Sequence, residues 1–122
     1  MLGQLSHEAV IQAPATVAWQ LYGGLGGAPS YKEKFTKIDN ENRIKETEVV
    51  EGGFLDIGFT LYRVRLKIVE NGDDSCIVES TIEYEIKEEA AANASLVTLQ
   101  PLIDIAQAAN DHLLHYKQLK DA

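Results

Sequence analysis

The sequence has 122 residues, 45% hydrophobic and 25% charged, and these proportions predict one globular domain over residues 1–122. Its formal net charge of −8 argues against a nucleic-acid-binding surface, and no apolar run is long enough to cross a membrane. Because Cys76 is the only cysteine and no signal peptide is visible, the sequence predicts a cytoplasmic protein without internal disulfides.

The N-terminal part is predicted to contain one strand and one short helix. The strand covers residues 5–13, and the helix covers residues 15–22. Pro14 suits the start of this helix because its fixed φ fits the first helical turn. The segment GGLGGAPS, at residues 23–30, is too rich in glycine to continue as regular structure.

Four strand-like segments follow, over residues 31–38, 43–51, 59–70 and 75–86. Apolar and polar residues alternate along them, which predicts antiparallel strands with one buried and one solvated face. The sequences DNEN and NGDD have the composition of tight turns and would join the strands in pairs. The first segment places three residues on one face, namely Tyr31, Glu33 and Phe35.

The C-terminal third changes to helical periodicity, from about residue 88 to residue 120. An apolar stripe is predicted along it, formed by Leu96, Leu99, Ile103, Ala106, Leu113 and Tyr116. Pro101 is predicted to bend this helix or to mark a break in its first third. Strands followed by a long helix indicate the α+β class.

Glu33 and Lys45 are the residues most suited to chemistry. A carboxylate on an apolar face is costly unless it is paired or protonated, so Glu33 is a candidate general base. The alternative is a structural glutamate at a strand end. If the hairpin is centred on Asp39, Lys45 lies directly opposite Glu33, with Cβ atoms about 5 Å apart. Lys45 is then either an ordinary cross-strand ion-pair partner or a cation that polarises a carbonyl group.

Other polar residues give weaker signals. His112 and His115 are three residues apart on the predicted helix, with Asp111 nearby. Metal sites use this spacing, but the sequence offers no further ligands, so a solvated helix face is the preferred interpretation. Cys76 alternates with the buried face and is expected to be an inert core thiol. We expect no metal and no cofactor.

Three stretches together resemble a known family: SYKEKFTKIDNENRIKE, VVEGGFLDIGFTLYR and SCIVESTIEYEIKEEAA, at residues 30–46, 49–63 and 75–91. They resemble plant norcoclaurine synthases, within the pathogenesis-related class-ten and birch-pollen-allergen-like superfamily. The opening LSHEAVIQAPATVAWQLYGGL is similar to the family's first strand and helix. The resemblance implies a helix-grip fold, in which a curved antiparallel sheet of about five strands wraps around the long C-terminal helix.

The resemblance also implies a deletion and a set of site residues. The family carries a few dozen more residues before the YKEKF strand, so a segment is missing near residues 23–30. In the synthases, residues matching Tyr31, Glu33 and Lys45 carry out a Pictet–Spengler condensation without a cofactor. The resemblance implies a ligand-binding set of Phe35, Val49, Phe54, Tyr62, Val64, Leu66 and Ile105, although any core would need such residues. Val64 stands where the synthases carry an aspartate.

Two functions are consistent with these observations. The first is norcoclaurine-synthase-like condensation of a dopamine-type amine with an arylacetaldehyde. The second is non-catalytic binding of a hydrophobic plant metabolite or hormone, which the change from aspartate to Val64 favours. A shortened, non-functional product is a third interpretation. Either function implies a small hydrophobic or aromatic ligand. The strand at residues 31–38 would become a sheet edge after the deletion, so we also expect self-association, as a homodimer.

Overall fold

The computed structural model describes residues 1–23 and 31–121, except the side chains of Tyr31 and of residues 116–121. The predicted irregular segment at residues 24–30 lies outside the described residues. The elements in chain order are β1 (Leu2–Ile11), α1 (Ala15–Gly23), β2 (Tyr31–Asp39), β3 (Ile44–Gly52), a 3-10 segment (Gly53–Ile57), β4 (Phe59–Glu70), β5 (Cys76–Ile86), a second 3-10 segment (Glu88–Leu96) and α2 (Gln100–Asp121).

The five strands form one antiparallel sheet in the order β1-β5-β4-β3-β2. The helix-grip prediction, a curved five-stranded sheet with a long C-terminal helix, is confirmed. The first strand begins at Leu2 rather than at residue 5, because its alternating burial continues to Leu2, which pairs with Glu85. The concave face of the sheet carries the core residues, and the convex face carries the charged ones.

The predicted register of the β2–β3 hairpin is wrong by four residues on β3 at Glu33 and, past the β-bulge at Thr36, by five residues on β2 at Lys45. Glu33 lies opposite Val49, and Lys45 lies opposite Ile38. The turn is centred further along the chain than Asp39, because the Asp39 carboxylate accepts the backbone N–H groups of residues 41 and 42. Arg43 then adopts a left-handed φ of 55° before β3 begins. A shift by an even number of residues preserves the face, so Glu33 and Lys45 still point to the same side.

The C-terminal third is not one continuous helix. A 3-10 segment ends at Leu96, and α2 begins at Gln100, with Pro101 in its first turn. Pro101 therefore marks the predicted break, because proline fits the start of a helix but not its interior. The predicted stripe is wrong at its beginning, since Leu96 is 53% exposed.

Two apolar clusters fill the concave side. The first joins α1 and α2 to one end of the sheet and is built around Ile11, Ala18, Tyr22, Ile68, Cys76, Val78, Ala109 and Leu113. The second lies at the other end and is built around Phe59, Ile82, Ile86 and Val97. Between them, directly opposed residues on adjacent strands form a more polar row across the sheet, namely Lys45, Leu66, Ser80 and His7.

The convex face holds an ion network centred on Glu46, which is only 8% exposed. Its carboxylate accepts hydrogen bonds from Thr36 Oγ1 at 2.8 Å and from Arg65 Nε and Nη2 at 2.9 and 2.6 Å. Arg63 lies within ion-pair distance of Glu46, Glu48 and Glu83. These contacts join β2, β3, β4 and β5.

Candidate functional site

Lys45 lies on the concave face, where its contacts include Tyr22 and Phe35. It is 7% exposed, and its ammonium group donates to the backbone carbonyl oxygen of Tyr22 at 3.3 Å. The ammonium nitrogen also lies 4.9 Å from the centroid of the Phe35 ring, a cation–π geometry. Burial lowers the pKa of Lys45, and the negative charge of Glu33 offsets part of this effect. Lys45 is therefore a stronger acid than an exposed lysine.

Glu33 is half-buried on the same face but is displaced along the strands. Its partner Val49 lies four residues beyond Lys45 on β3, which corresponds to about 13 Å along an extended strand. Between these two levels, Phe35, Thr47 and Val64 lie opposite one another on β2, β3 and β4. In backbone register, Glu33 and Lys45 thus lie on either side of this row instead of forming the directly opposed pair that we predicted, although the charge of Glu33 still acts on the Lys45 ammonium group.

This arrangement suits chemistry on a neutral, extended substrate. A buried ammonium group of lowered pKa can donate a proton or hydrogen bond to a carbonyl or hydroxyl oxygen. The carboxylate at the other end of the strip can accept a proton. A molecule lying across Thr47 would lie beside both residues, between Phe35 and Val64.

The other predicted site residues lie in different surroundings. The backbone of Tyr31 begins β2, but its side chain lies outside the described residues. Phe35 is 53% exposed at the sheet edge, whereas Val49 is buried. The remaining four ligand-binding candidates on the sheet side pack into the core: Phe54, Tyr62 and Val64 belong to the second cluster, and Leu66 packs against the first.

Phe54 and Tyr62 stack with ring centroids 4.4 Å apart and an interplanar angle of 11°. Both rings also contact Phe59, which in turn meets Tyr84 edge to face. Aromatic pairs of this kind add stability beyond the area that they bury. The aromatic cluster therefore fills the end of the concave face beyond Glu33.

Ile105, the last ligand-binding candidate, lines a cavity between the two helices. The cavity has a volume of about 250 Å³ and is formed by Leu21, Tyr22, Ile105, Ala108, Ala109 and His112. Tyr22 connects it to the sheet site, because the Tyr22 carbonyl oxygen accepts the Lys45 hydrogen bond.

Two residues near Lys45 were missed by sequence reasoning. Thr47 shares the face of Lys45 and Val49, and the alternation of β3 contains the signal that would have identified it. Tyr22 could not have been found in this way. It accepts the Lys45 hydrogen bond through its backbone carbonyl oxygen, and because every residue has this group, the sequence does not identify which one is used.

Metal-binding and thiol chemistry find little support in residues 1–23 and 31–121. This part of the chain contains no group of three or more His, Cys, Asp or Glu residues placed to hold a metal ion, and no helix long and apolar enough to span a bilayer. His112 and His115 are both exposed on α2. Cys76 is fully buried, and burial raises the pKa of its thiol, as expected for an inert core cysteine.

Comparisons with known proteins identify related sequences over most of the chain. The profile of the pathogenesis-related protein Bet v 1 family matches residues 15–116. Norbelladine synthase from Narcissus pseudonarcissus is 39% identical, over 96% of this chain and 95% of that protein. S-norcoclaurine synthase 1 from Papaver somniferum is 47% identical, over 74% of this chain but only 40% of that protein. The internal deletion near residues 23–30 stays a prediction.

Solved structures of Thalictrum flavum norcoclaurine synthase have the same fold. A point mutant in complex with a transition-state analogue superposes with a TM-score of 0.85 at 28% identity, covering 96% of this chain and 97% of that one. A complex of that enzyme with dopamine and hydroxybenzaldehyde superposes with a TM-score of 0.82, covering 94% and 88% of the two chains.

Proposed function

The chain belongs to the pathogenesis-related protein Bet v 1 family, and on this basis we propose that it catalyses a norcoclaurine-synthase-like Pictet–Spengler condensation. The proposed substrates are a dopamine-type arylethylamine and an arylacetaldehyde, and no cofactor takes part. The observation that supports this most strongly is the buried Lys45 ammonium group, which shares the concave face with Glu33 across an apolar strip.

The proposed steps use each of these groups once. The amine adds to the aldehyde carbon and passes one of its N–H protons to the oxygen, which gives a carbinolamine. Lys45 then donates the second proton to this hydroxyl group, so that water leaves and an iminium ion forms. The lowered pKa of Lys45 favours this proton transfer. The aromatic carbon of the amine then attacks the iminium carbon, and Glu33 accepts the proton that this ring carbon loses. Tyr31 would support binding, as the family resemblance implies.

The second candidate function is non-catalytic binding of a hydrophobic plant metabolite. Val64 favours it, because this side chain belongs to an apolar cluster and supplies no charge for an amine. Measuring the enantiomeric composition of the condensation product tests the catalytic function directly. Purified protein is incubated with dopamine and 4-hydroxyphenylacetaldehyde, and the product is resolved by chiral chromatography. An enantiomeric excess supports catalysis, whereas a racemate formed at the background rate would contradict catalysis of this condensation and leave binding as the remaining candidate.

Variants of Lys45 test the assigned role. Lys45→Ala should lower turnover by about 10²–10⁴-fold, the usual contribution of an acid–base group. Lys45→Arg should retain the contact to the Tyr22 carbonyl group. It should also be inactive, because a guanidinium group does not give up its proton. Lys34→Ala, at an exposed lysine on the convex side, is the matched control and should keep full turnover. Parental turnover in Lys45→Arg would reject the proton-donating role.

Val64→Asp tests the assignment of the amine site. The new carboxylate would face Thr47 on the concave strip and could pair with a protonated amine. We expect a lower KM for dopamine, together with a loss of stability from burying a carboxylate that is unpaired without substrate. An unchanged KM in a folded variant would show that the amine does not lie beside Val64.

A further inference from the structure

Thr47 is the single polar side chain in a row of directly opposed residues that crosses all five strands on the concave face. The row takes one residue from each strand, in the order of the sheet: Phe35, Thr47, Val64, Ile82 and Leu5. A valine would fill the space of Thr47 and fit a strand equally well, because it has the same branching at Cβ. Packing therefore does not account for the Thr47 hydroxyl group.

The Thr47 hydroxyl group is available to a ligand. It makes no hydrogen bond to any residue that the structure describes, and the side chain is only half-buried. Phe35, beside it at the sheet edge, is 53% exposed, so the row is open to solvent at this end. Val64, on its other side, belongs to an apolar cluster and offers no hydrogen-bonding side chain. The long helix α2 packs mainly on α1 and β1, at the far edge of the sheet.

In backbone register, Thr47 lies midway between the two charged residues of the proposed reaction. Lys45 precedes it by two residues on β3, and Glu33 pairs with Val49, which follows it by two residues. Two residues correspond to about 7 Å along a strand. A substrate that lies beside both Lys45 and Glu33 therefore passes over Thr47.

The proposed condensation leaves one polar atom of the substrate without a partner. Lys45 acts on the oxygen that departs, and Glu33 accepts the proton of the ring carbon. The nitrogen carries N–H in the amine, in the carbinolamine and in the iminium ion, and a cationic N–H group lying against apolar side chains is costly without an acceptor. A threonine hydroxyl group is a neutral acceptor with two lone pairs, so it can accept this hydrogen bond at every stage.

We infer that the Thr47 hydroxyl group accepts a hydrogen bond from the substrate nitrogen, and that this contact selects amines from other aromatic ligands of the same size. The inference rests on the proposed function for the iminium step, but the contact to a bound amine requires no turnover. Thr47 is thus a specificity-determining residue, whereas the protons move through Lys45 and Glu33.

Dopamine and 4-ethylcatechol test the contact in the absence of aldehyde, because they share the catechol ring and the two-carbon chain and differ by the amino group. In calorimetric titrations, Thr47→Val should weaken dopamine binding by about 3–10-fold, the usual effect of one hydrogen bond, and leave 4-ethylcatechol binding unchanged. Thr47→Ser keeps a hydroxyl group and should bind dopamine as the parent does. Thr81→Val, opposite Arg65 on the convex face, is the matched control and should change neither affinity.

N-methyldopamine provides the second test, because its iminium ion has no N–H group. Thr47→Val should lower kcat/KM for dopamine by about tenfold or more, and for N-methyldopamine by less than about twofold. Melting curves check that the variants fold, and Thr47→Ala, which also lacks the hydroxyl group, replaces Thr47→Val if that variant does not.

The outcomes separate this inference from the proposed function. A racemic product from the parent protein, together with weaker dopamine binding in Thr47→Val, would reject the condensation and support the nitrogen contact. An enantiomeric excess from the parent, together with equal dopamine binding by parent and Thr47→Val, would overturn the contact and leave the condensation standing. Absence of dopamine binding to the parent protein would also overturn the contact.

Discussion

Glu46 provides the sharpest test of how the sheet is held together. The variant Glu46→Gln keeps the shape of the side chain but removes its charge and replaces one acceptor oxygen with an NH₂ group. The carboxylate receives three hydrogen bonds, two of them from Arg65. Bonds to charged groups contribute about 1.5–3 kcal/mol each. Because the Arg65 side chain is 46% exposed and screened by solvent, we expect a total loss of only about 2 kcal/mol.

The pH dependence gives this prediction a second, independent readout. Burial raises the pKa of Glu46, but the hydrogen bonds from Thr36 and Arg65 and the nearby arginine charges outweigh it, so the pKa lies below the ordinary 4.5. A carboxyl group whose pKa is lower in the folded state than in the unfolded state stabilises the fold at pH values above its unfolded-state pKa. This stabilisation is lost as the pH falls through its folded-state pKa. The difference between parent and variant should therefore be fully present at about pH 7 and smaller at about pH 3, below the ordinary pKa of 4.5.

Urea unfolding at both pH values measures the effect, with Glu48→Gln as the matched control. Glu48 lies on the same strand and face, but its ion pair with Arg63 is long, at 3.6 Å. Its replacement should cost less than about 1 kcal/mol. Equal losses in the two variants, or a Glu46→Gln loss that is as large at about pH 3 as at about pH 7, would contradict the central role given to Glu46.

Three further predictions concern the glycine in β1, the buried thiol and the sheet edge. Gly3→Ala should lower stability by about 1–3 kcal/mol, because a Cβ atom would lie 2.1 Å from the Tyr84 ring, whereas Gln4→Ala should leave the melting temperature unchanged. Iodoacetamide should alkylate Cys76 at least about tenfold more slowly in folded than in unfolded protein, and equal rates would show that the thiol is accessible. Light scattering over a concentration series should show a dimer mass, because β2 is an edge strand, and a constant monomer mass would refute edge pairing.

Strands β1, β3, β4 and β5 could be predicted because each buries one face, which produces the alternation of apolar and polar residues. The edge strand β2 shows the same alternation although Phe35 and Ile38 are more than half exposed. The register of β2 and β3 could not be predicted in this way. It depends on the Asp39 side chain, on the left-handed Arg43, and on a β-bulge at Thr36, whose backbone is left out of the residue-by-residue pairing with β3. The shared face of Glu33 and Lys45 was still predicted correctly, since the error of four residues is even.

The helical third shows a different limit of sequence reasoning. Apolar spacing alone does not distinguish a 3-10 segment from the start of an α-helix, and only Pro101 indicated the boundary. The α1–α2 cavity could not be predicted at all, because it depends on how two helices distant in sequence pack together. Small residues such as Ala108 leave this space open, and nothing in their local pattern separates them from ordinary helix formers.

The separation of the two sheet faces bears on how this protein acquires new ligands during evolution. Glu46, Arg63 and Arg65 link neighbouring strands on the convex side, on the face opposite the strip proposed to contact substrate. A substitution at Thr47 or Val64 therefore alters the chemistry of the concave strip without removing the contacts that keep the strands aligned. Ligand preference can thus change by single steps through folded intermediates, and one scaffold can give rise to both enzymes and binding proteins.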